Sequence, residues 1–206
     1  MSCVWHSRRV PFRVLFVCTG NICRSPVAER LFVARVAEPS ILAASAGMRG
    51  LSGYPIDASS AYALQELGID PAGHVAQRVT AELTAAADLI LTAETAHRSG
   101  LVQSEPRLFR RTFTLREFAR LGAEFGPLES PWSIATLTSR VAEIAGQRGR
   151  VESPVAGADE IADPFGGSLD VARACVREIA DAVDRVIAAL GLGACPRDPV
   201  PGTVGS

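Results

Sequence analysis

Short apolar runs alternate with amphipathic segments through the first half of the chain. The runs are rich in β-branched and aromatic residues, a pattern typical of buried strands in a parallel sheet. Four such strands are predicted, at residues 14–17, 41–45, 88–92 and 112–115. Helical patterns follow three of them, at residues 26–36, 57–67 and 94–103. This alternation of strands and helices indicates an α/β fold built on a doubly wound sheet.

The second half of the chain is less regular until its last helix. The segment 122–160 is rich in Gly and Pro, and we expect it to be an insertion that forms a lid or a flank beside the loop that follows it. It contains one amphipathic helical pattern, with an apolar face made by Ile134, Leu137, Val141 and Ile144. The strongest helical pattern in the chain covers residues 168–190.

The length and composition suit one globular domain. The chain has 206 residues, of which 48% are hydrophobic and 21% charged. We expect an N-terminal tail at 1–12, a single domain at 13–192 and a disordered tail at 193–206. The net charge of −1 argues against a general nucleic-acid-binding protein. Every cationic side chain is Arg, so no lysine is available for a Schiff base or a P-loop.

No targeting or membrane signal is visible. No segment approaches the ~18 consecutive apolar residues that a membrane-spanning helix needs, and residues 1–11 lack the apolar run of a signal peptide. We therefore expect a cytoplasmic protein with no membrane partner. The five cysteines are odd in number and irregularly spaced, which argues against a disulfide framework and suits a reducing compartment.

Residues 17–26, with the sequence VCTGNICRSP, connect the first predicted strand to the first predicted helix. This connection places consecutive backbone N–H groups and the positive end of a helix around one point, which favours a bound anion. Gly20 and Asn21 readily adopt the left-handed backbone angles of a tightly curled loop. Cys18 begins the loop and Arg24 closes it, so a thiolate could lie beneath a phosphate held by the guanidinium.

A structural interpretation of the same residues is a buried core cysteine followed by a surface arginine. The spacing Cys-x5-Arg is weak evidence by itself, because it recurs by chance. Its position between a strand and a helix, together with the full sequence CTGNICRSP, favours phosphate chemistry.

The segment VCTGNICRSPVAERLF resembles the phosphate loop and first helix of the low-molecular-weight protein tyrosine phosphatases. The Asp-Pro-aromatic loop of that family has a counterpart at residues 163–167 (DPFGG), before the last helix. Residues 45–47 (SAG) and 73–76 (GHVA) are also similar to family segments. The resemblance implies a three-layer α/β fold with a doubly wound, four-stranded parallel sheet, flanking helices and an N-terminal phosphate-binding loop.

The resemblance also implies a role for individual residues. Cys18 would be the nucleophile that forms a phosphocysteine, Arg24 the phosphate clamp, and Asp163 the general acid and later the base. Phe165 would form an aromatic wall beside the substrate ring. The other phosphate-binding and substrate-binding residues would be Thr19, Gly20, Asn21, Ile22, Cys23 and Ser25. The residues that support the loop would be Asn21, Ser45 and His74. No metal ion and no cofactor are expected.

Redox sensitivity is a further expectation. Cys18 and Cys23 share the loop, and its curled shape should bring their sulfurs close, as the resemblance also implies. Peroxide would convert the reactive Cys18 to a sulfenic acid, which Cys23 could trap as a disulfide.

Three positions depart from the family pattern. Glu94 stands where many members have Asp, and residues 77–78 read Gln-Arg where Arg-Gln is more usual. One aromatic residue follows Pro164, which weakens the expectation of a deep wall selective for a phenyl ring.

Two other functions could use the same fold or loop. An arsenate reductase would relay a disulfide from Cys18 to later cysteines, of which the chain has Cys175 and Cys195. A non-catalytic phosphotyrosine-binding module would need the loop but neither the nucleophile nor the acid. Hydrolysis of para-nitrophenyl phosphate without added metal discriminates between these functions. The expected partner is a tyrosine-phosphorylated protein, with a bacterial tyrosine kinase as one candidate, and the oligomeric state cannot be read from the sequence.

Overall fold

The computed structural model describes residues 11–36, 38–128, 133–151 and 155–192. Within these residues, four parallel strands form one sheet in the order β2-β1-β3-β4. The strands are β1 (Phe12–Cys18), β2 (Ile41–Gly47), β3 (Leu89–Thr92) and β4 (Thr112–Thr114). The helices are α1 (Arg24–Arg35), α2 (Ala58–Gln65), α3 (Ala81–Ala86), α4 (Thr95–Ser104), α5 (Leu115–Leu121), α6 (Ile134–Ala145) and α7 (Leu169–Ala189). A short 3₁₀ helix, Pro106–Arg111, precedes β4.

The predicted α/β fold is confirmed, including its four parallel strands. One predicted boundary is wrong: Phe12, which we assigned to the N-terminal tail, is the fully buried first residue of β1. Its ring packs into the core, and its N–H donates to Ser40 O at 2.9 Å. Residues 1–10 and 193–206, predicted as tails, lie outside the described residues.

Helices cover both faces of the sheet, because successive side chains of a strand point to opposite faces. In β1, Val14 and Phe16 enter the larger apolar cluster, to which α1, α5 and α7 also contribute. Leu15 and Val17 enter the smaller cluster, which includes Leu101 of α4. The sheet is therefore the middle layer of three, as the fold class predicted.

Helix α7 has the predicted amphipathic pattern. Helices α1, α2 and α5 pack against it. The side chain of Ser168 caps its first turn by accepting the N–H of Val171 at 3.4 Å. Every residue of the predicted apolar stripe is buried, namely Ala172, Val176, Ile179, Val183, Val186 and Leu190.

The helix predicted within the segment 122–160 is α6, and it forms a flank of the core. Leu137, Val141 and Ile144 are buried in the larger apolar cluster. Arg140 Nη1 donates to Gly126 O at 2.8 Å and to Ala189 O, at the end of α7, at 3.0 Å.

Helix α6 lies away from the loop at residues 18–24. Helix α1 begins at that loop, and Arg35 near its other end pairs with Asp184 of α7 at 2.9 Å. The end of α7, where α6 packs, is therefore on the side of the domain opposite to Cys18. Helix α6 therefore flanks the core on the side away from Cys18, and for this helix the expected lid or flank beside the Asp163 loop is not supported.

The sequence prediction missed α5 and made β4 one residue too long. Leu115 is the first residue of α5, not the last of the strand. The N–H of Glu117 donates to Thr114 Oγ1 at 3.0 Å, and the Thr114 N–H donates to Glu117 Oε2 at 3.2 Å. This reciprocal capping box is visible in the sequence as Thr-x-x-Glu, the signal that could have located the helix.

Candidate active site

The loop between β1 and α1 turns back on the sulfur of its first residue. Asn21 has a φ of +59°. It is the only non-glycine residue with a positive φ among the residues that the structure describes. Its N–H lies 3.3 Å from Cys18 Sγ, and Ser25 Oγ lies 3.0 Å from the same sulfur. When Cys18 is a thiolate, the Asn21 N–H and the Ser25 hydroxyl can both donate to its sulfur and stabilise the charge.

Asn21 contacts both of the other residues predicted to support the loop, Ser45 through its side chain and His74 through its backbone. Its Nδ2 donates to Ser25 Oγ and to Ser45 Oγ, each at 2.9 Å. Its Oδ1 accepts the N–H of Gln77 at 2.9 Å, and its backbone oxygen lies 2.8 Å from His74 Nε2. Asn21 is fully buried, and its side-chain amide and backbone oxygen all have hydrogen-bond partners. These partners come from α1, β2 and the segment 74–77, which together stabilise the left-handed turn.

The segment that follows β2 runs along the outside of the loop. Its backbone N–H groups donate to the loop carbonyls at 2.8–2.9 Å, pairing Met48 with Cys18, Arg49 with Thr19 and Leu51 with Gly20. Gly47 permits this approach, because a Cβ there would lie 2.7 Å from Thr19 O. Gly50 permits a second close contact, because a Cβ there would lie 2.2 Å from Gln77 O. With its carbonyls bonded outwards, the loop directs N–H groups inwards, as an anion site requires.

Arg24 is almost fully buried beside this loop. Its guanidinium donates to Ile161 O at 3.0 Å and to Thr19 Oγ1 at 3.3 Å, pairs with Asp163 Oδ2 at 2.9 Å, and hydrogen-bonds Glu94. Burial by itself lowers the pKa of Arg24, but the Glu94 hydrogen bond and the nearby negative charges outweigh it, so the pKa is raised. Its Nε is buried without a hydrogen-bond partner among the described residues.

The segment 161–167 brings Asp163 to the loop. The Ile161 N–H donates to Ala93 O at 2.9 Å, which ties the segment to the end of β3. The Asp163 side chain is 46% exposed, and its Oδ1 accepts the N–H of Phe165 at 3.4 Å. Phe165 is 63% exposed. Asp163 is therefore placed between the guanidinium of Arg24 and the surface, within reach of an incoming molecule.

Apolar side chains border the loop. A Cβ at Gly20 would lie 3.5 Å from Ile22 Cγ1 and 3.8 Å from Leu51 Cδ1, so both side chains adjoin Gly20. Tyr54, on the same segment as Leu51, is 61% exposed. The surface beside the loop thus offers apolar contacts, while the loop itself offers hydrogen-bond donors.

Residues 13–136 match the sequence model of the family described as low molecular weight phosphotyrosine protein phosphatase. The chain belongs to this family. It is 40% identical over 104 residues to the probable low molecular weight protein-tyrosine-phosphatase EpsP of Ralstonia nicotianae, which covers 50% of this chain and 70% of EpsP. It is 30% identical over 178 residues to a protein-arginine-phosphatase of Geobacillus stearothermophilus, covering 86% of this chain and 95% of the relative.

Two solved structures show the same fold. The YwlE arginine phosphatase from Geobacillus stearothermophilus superposes with a TM-score of 0.63 at 30% identity, covering 85% of this chain and 90% of that one. The tyrosine phosphatase AmsI from Erwinia amylovora superposes with a TM-score of 0.63 at 26% identity, covering 89% and 95%. The protein is therefore an enzyme, a phosphatase of the hydrolase class.

The sequence prediction missed two residues of this phosphatase site. Glu94, noted only as a departure from the family, hydrogen-bonds Arg24. His97, which we did not single out, lies 2.8 Å from Thr19 Oγ1. Both residues follow β3, the neighbour of β1, and the carboxyl ends of adjacent parallel strands meet at one edge. That position in the predicted sheet is the signal that could have found them.

Two further cysteines of the phosphatase lie near the site. Cys23 is buried, and burial raises its pKa to about 12. Cys175 is also buried, its Sγ donates to Ala162 O at 3.7 Å, and burial raises its pKa to about 12 as well. A thiol that stays protonated is a poor nucleophile. Cys175 is therefore poorly suited to the disulfide relay of an arsenate reductase, and Cys195 lies outside the described residues.

No cluster of His, Cys, Asp or Glu side chains that could hold a metal ion occurs in the described part of the phosphatase. None of the helices formed by the described residues is long and apolar enough to cross a membrane.

Proposed function

We propose that this phosphatase hydrolyses phosphotyrosine through a phosphocysteine at Cys18. The observation that carries the proposal is the position of Arg24, whose buried guanidinium reaches both the loop, at Thr19 Oγ1, and Asp163. Its unpaired Nε is a donor that an incoming phosphate oxygen can use. Clamp, nucleophile and acid are thereby assembled around one anion site.

In the first step, the Cys18 thiolate attacks phosphorus on the side opposite to the leaving oxygen. The phosphorus–sulfur bond forms while the bond from phosphorus to the phenolic oxygen breaks. Asp163 donates its proton to that oxygen, so that phenol leaves. Arg24 exchanges its contact with Asp163 for two phosphate oxygens, which frees the acid as the substrate binds.

In the second step, water attacks the phosphorus of the phosphocysteine. Asp163, now a carboxylate, accepts a proton from the water as the phosphorus–oxygen bond forms. The phosphorus–sulfur bond breaks, and the electron pair returns to Cys18 as a thiolate. The hydroxyl of Ser25 and the N–H of Asn21, 3.0 Å and 3.3 Å from the sulfur, stabilise that charge. Inorganic phosphate is released.

An aryl phosphate suits the surface beside the loop. Ile22 and Leu51 adjoin Gly20 and present apolar carbons, and Phe165 and Tyr54 are exposed on the neighbouring segments. A phenyl ring bound there buries apolar area on both partners. The proposed physiological substrate is a tyrosine-phosphorylated protein, with a bacterial tyrosine kinase as one candidate.

Phosphoarginine hydrolysis is the second candidate. It is favoured by the match to the Geobacillus protein-arginine-phosphatase, which extends over 95% of that protein. The carboxylates of Glu94 and Asp163, both next to Arg24, are groups that could face a substrate guanidinium. In that case, the bond broken would join phosphorus to nitrogen, and the substrate would carry a positive charge.

Paired substrates discriminate between the two candidates. Phosphotyrosine and phosphoarginine peptides of the same flanking sequence would be compared without added metal, with Cys18→Ser as the control. We expect kcat/KM to be higher for phosphotyrosine by at least about tenfold, and Cys18→Ser to be inactive while still binding sulfate. A higher kcat/KM for the phosphoarginine peptide would favour phosphoarginine hydrolysis over phosphotyrosine hydrolysis. Activity of Cys18→Ser near that of the wild type would contradict both.

We propose that residues 12–192 form the phosphatase domain, with 122–160 as its flanking insertion, and that the protein acts in the cytoplasm. The thiols of Cys18, Cys23 and Cys175 are free, and a catalytic thiolate persists best in a reducing compartment. Cell fractionation with an antibody to the protein tests the location, and expression of residues 11–192 tests the domain.

A further inference from the structure

His97 is buried in the first turn of α4, and only 7% of its surface is exposed. Its Nε2 lies 2.8 Å from Thr19 Oγ1, the side-chain oxygen of the residue after the nucleophile. The same oxygen lies 3.3 Å from Arg24 Nη2. A chain of two hydrogen bonds thus runs from α4 through the phosphate loop to the clamp.

One arrangement of the protons along these two hydrogen bonds leaves the fewest polar groups unpaired. A guanidinium only donates, so Arg24 uses a lone pair of Thr19 Oγ1. If the Thr19 hydroxyl then donates to Nε2, the hydroxyl proton has an acceptor and the imidazole proton lies on Nδ1. The reverse arrangement leaves the hydroxyl proton without an acceptor among the described residues. In either arrangement Nδ1 of His97 has no partner among the described residues, so the first arrangement leaves fewer polar groups unpaired.

We propose that His97 is a positioning residue of the phosphate clamp: it accepts the Thr19 hydroxyl proton and so turns the lone pair of Thr19 Oγ1 towards Arg24. A guanidinium oriented in this way presents its Nε–H, and the Nη2–H that Asp163 releases, to the phosphate without first having to reorient. The kinetic consequence rests on the phosphatase function proposed above, whereas the hydrogen-bond arrangement does not.

The arrangement requires a neutral imidazole. Burial lowers the pKa of His97 below its ordinary 6.5; the carboxylates of Glu94 and Asp163 oppose this effect, and the guanidinium groups of Arg24 and Arg49 add to it. His97 is therefore neutral at pH 7. In more acidic solution, a protonated imidazole becomes a donor at Nε2, displaces the hydroxyl proton, and places a second cation next to Arg24. We expect kcat/KM to fall as His97 is protonated.

A double-mutant cycle tests the coupling. His97→Leu removes the acceptor, Thr19→Val removes the hydroxyl at similar volume, and the third variant carries both changes. At pH 7, we expect each single change to lower kcat/KM for para-nitrophenyl phosphate by about 5- to 30-fold. The double variant should lose no more kcat/KM than the more impaired of the two single variants. Losses that multiply would overturn the proposal, because they would show that the two residues act independently.

Two readouts separate positioning from a merely structural role. The variant His97→Gln keeps an acceptor but cannot titrate, so in acidic solution it should lack the loss of kcat/KM that protonation of His97 causes in the wild type. In nitrogen-15 NMR of the wild-type protein, His97 should carry its proton on Nδ1 at pH 7. If the pH dependence of kcat/KM were the same in His97→Gln as in the wild type, or if NMR showed the proton of His97 on Nε2, the proposal would be refuted. The NMR result holds or fails even if the protein hydrolyses neither phosphotyrosine nor phosphoarginine.

Discussion

The ion pair between Arg24 and Asp163 joins the proposed phosphate clamp to the proposed general acid, with Nη2 2.9 Å from Oδ2. Arg24 is almost fully buried, whereas the Asp163 side chain is about half exposed. A phosphate group that enters the loop must compete with Asp163 for the same guanidinium. If Asp163 is the proposed acid, the pair opposes anion binding while Asp163 assists turnover. A single substitution of Asp163 should then move anion affinity and turnover in opposite directions.

We expect Asp163→Asn to bind sulfate about 2- to 5-fold more tightly, because the carboxylate that competes with the dianion and repels it is gone. The gain in affinity is small because an ion pair that is half exposed contributes little free energy. Competition of sulfate with para-nitrophenyl phosphate measures the change. Asp159→Asn is the matched control, since Asp159 pairs with Arg120 and not with Arg24. Weaker sulfate binding by Asp163→Asn would show that the pair does not compete with the anion.

The same variant should lose turnover according to the leaving group. On phosphotyrosine, whose phenolate needs a proton to leave, Asp163→Asn should lower kcat by about 10²–10⁴-fold. With para-nitrophenyl phosphate the loss should be smaller, because that phenolate leaves more easily. The alkaline limb of the pH–rate profile should also flatten. An equal loss for every leaving group would mean that Asp163 only shapes its loop.

Arg24→Lys should lower kcat/KM by about 10²–10³-fold, because an ammonium cannot present two parallel donors to a phosphate or reach both Thr19 and Asp163. Arg120→Lys is the comparison, since Arg120 pairs with Asp159 outside the loop and should tolerate the change. Steady-state kinetics of both variants measure the difference. Near-normal activity of Arg24→Lys would remove Arg24 from the role of clamp.

Asn21→Ala should destabilise the fold by about 2–5 kcal/mol, because it leaves partners of several buried hydrogen bonds unmet and strains a left-handed turn. Asn21→Gly removes the same hydrogen bonds but relieves the backbone strain, so it should be the less destabilised of the two. Urea unfolding measures both. If Asn21→Gly matched the wild type, the side-chain network would not hold the loop.

Mild peroxide should inactivate the enzyme reversibly through a disulfide between Cys18 and Cys23, and dithiothreitol should restore it. Burial raises the pKa of Cys23 from 9.0 to about 12, so its reactive thiolate is scarce at neutral pH. Disulfide formation should therefore accelerate as the pH rises above neutrality. Mass spectrometry after peroxide treatment measures the linkage, with Cys23→Ser as the control that should be inactivated irreversibly. Absence of the linkage in the wild type would exclude this protection.

The raised pKa of Cys23 also has a consequence for stability. The folded state disfavours its thiolate, so the associated stability is complete below pH 9 and is lost as the pH rises from 9 towards 12. Cys175, raised to about 12 by burial, acts in the same direction over the same range. Thermal unfolding at pH 8 and at pH 10 should show a smaller decrease in melting temperature for Cys23→Ser than for the wild type.

Some of the site could be predicted because its signals are local in the chain. The strand β1, the glycine and asparagine of the loop, and the helix α1 occupy consecutive residues, so their connection alone indicates an anion site. The apolar stripe of α7 and the Asp-Pro-Phe segment before it are also local patterns. The capping box at Thr114 was equally local, and α5 was missed only because the pattern was not recognised.

The chain sequence by itself determined the α/β class, and it predicted an anion site at the loop from Cys18 to Arg24. The segment that carries Asp163 was predicted from its resemblance to the family. Only the tertiary structure decided that Glu94 and Asp163 both contact Arg24, that His97 reaches Thr19, and that α6 flanks the far side of the domain. The physical reason is that a turn or a helix is specified by neighbouring residues. A contact between residues 70 or more positions apart depends on how the layers pack around the sheet, which no short pattern records.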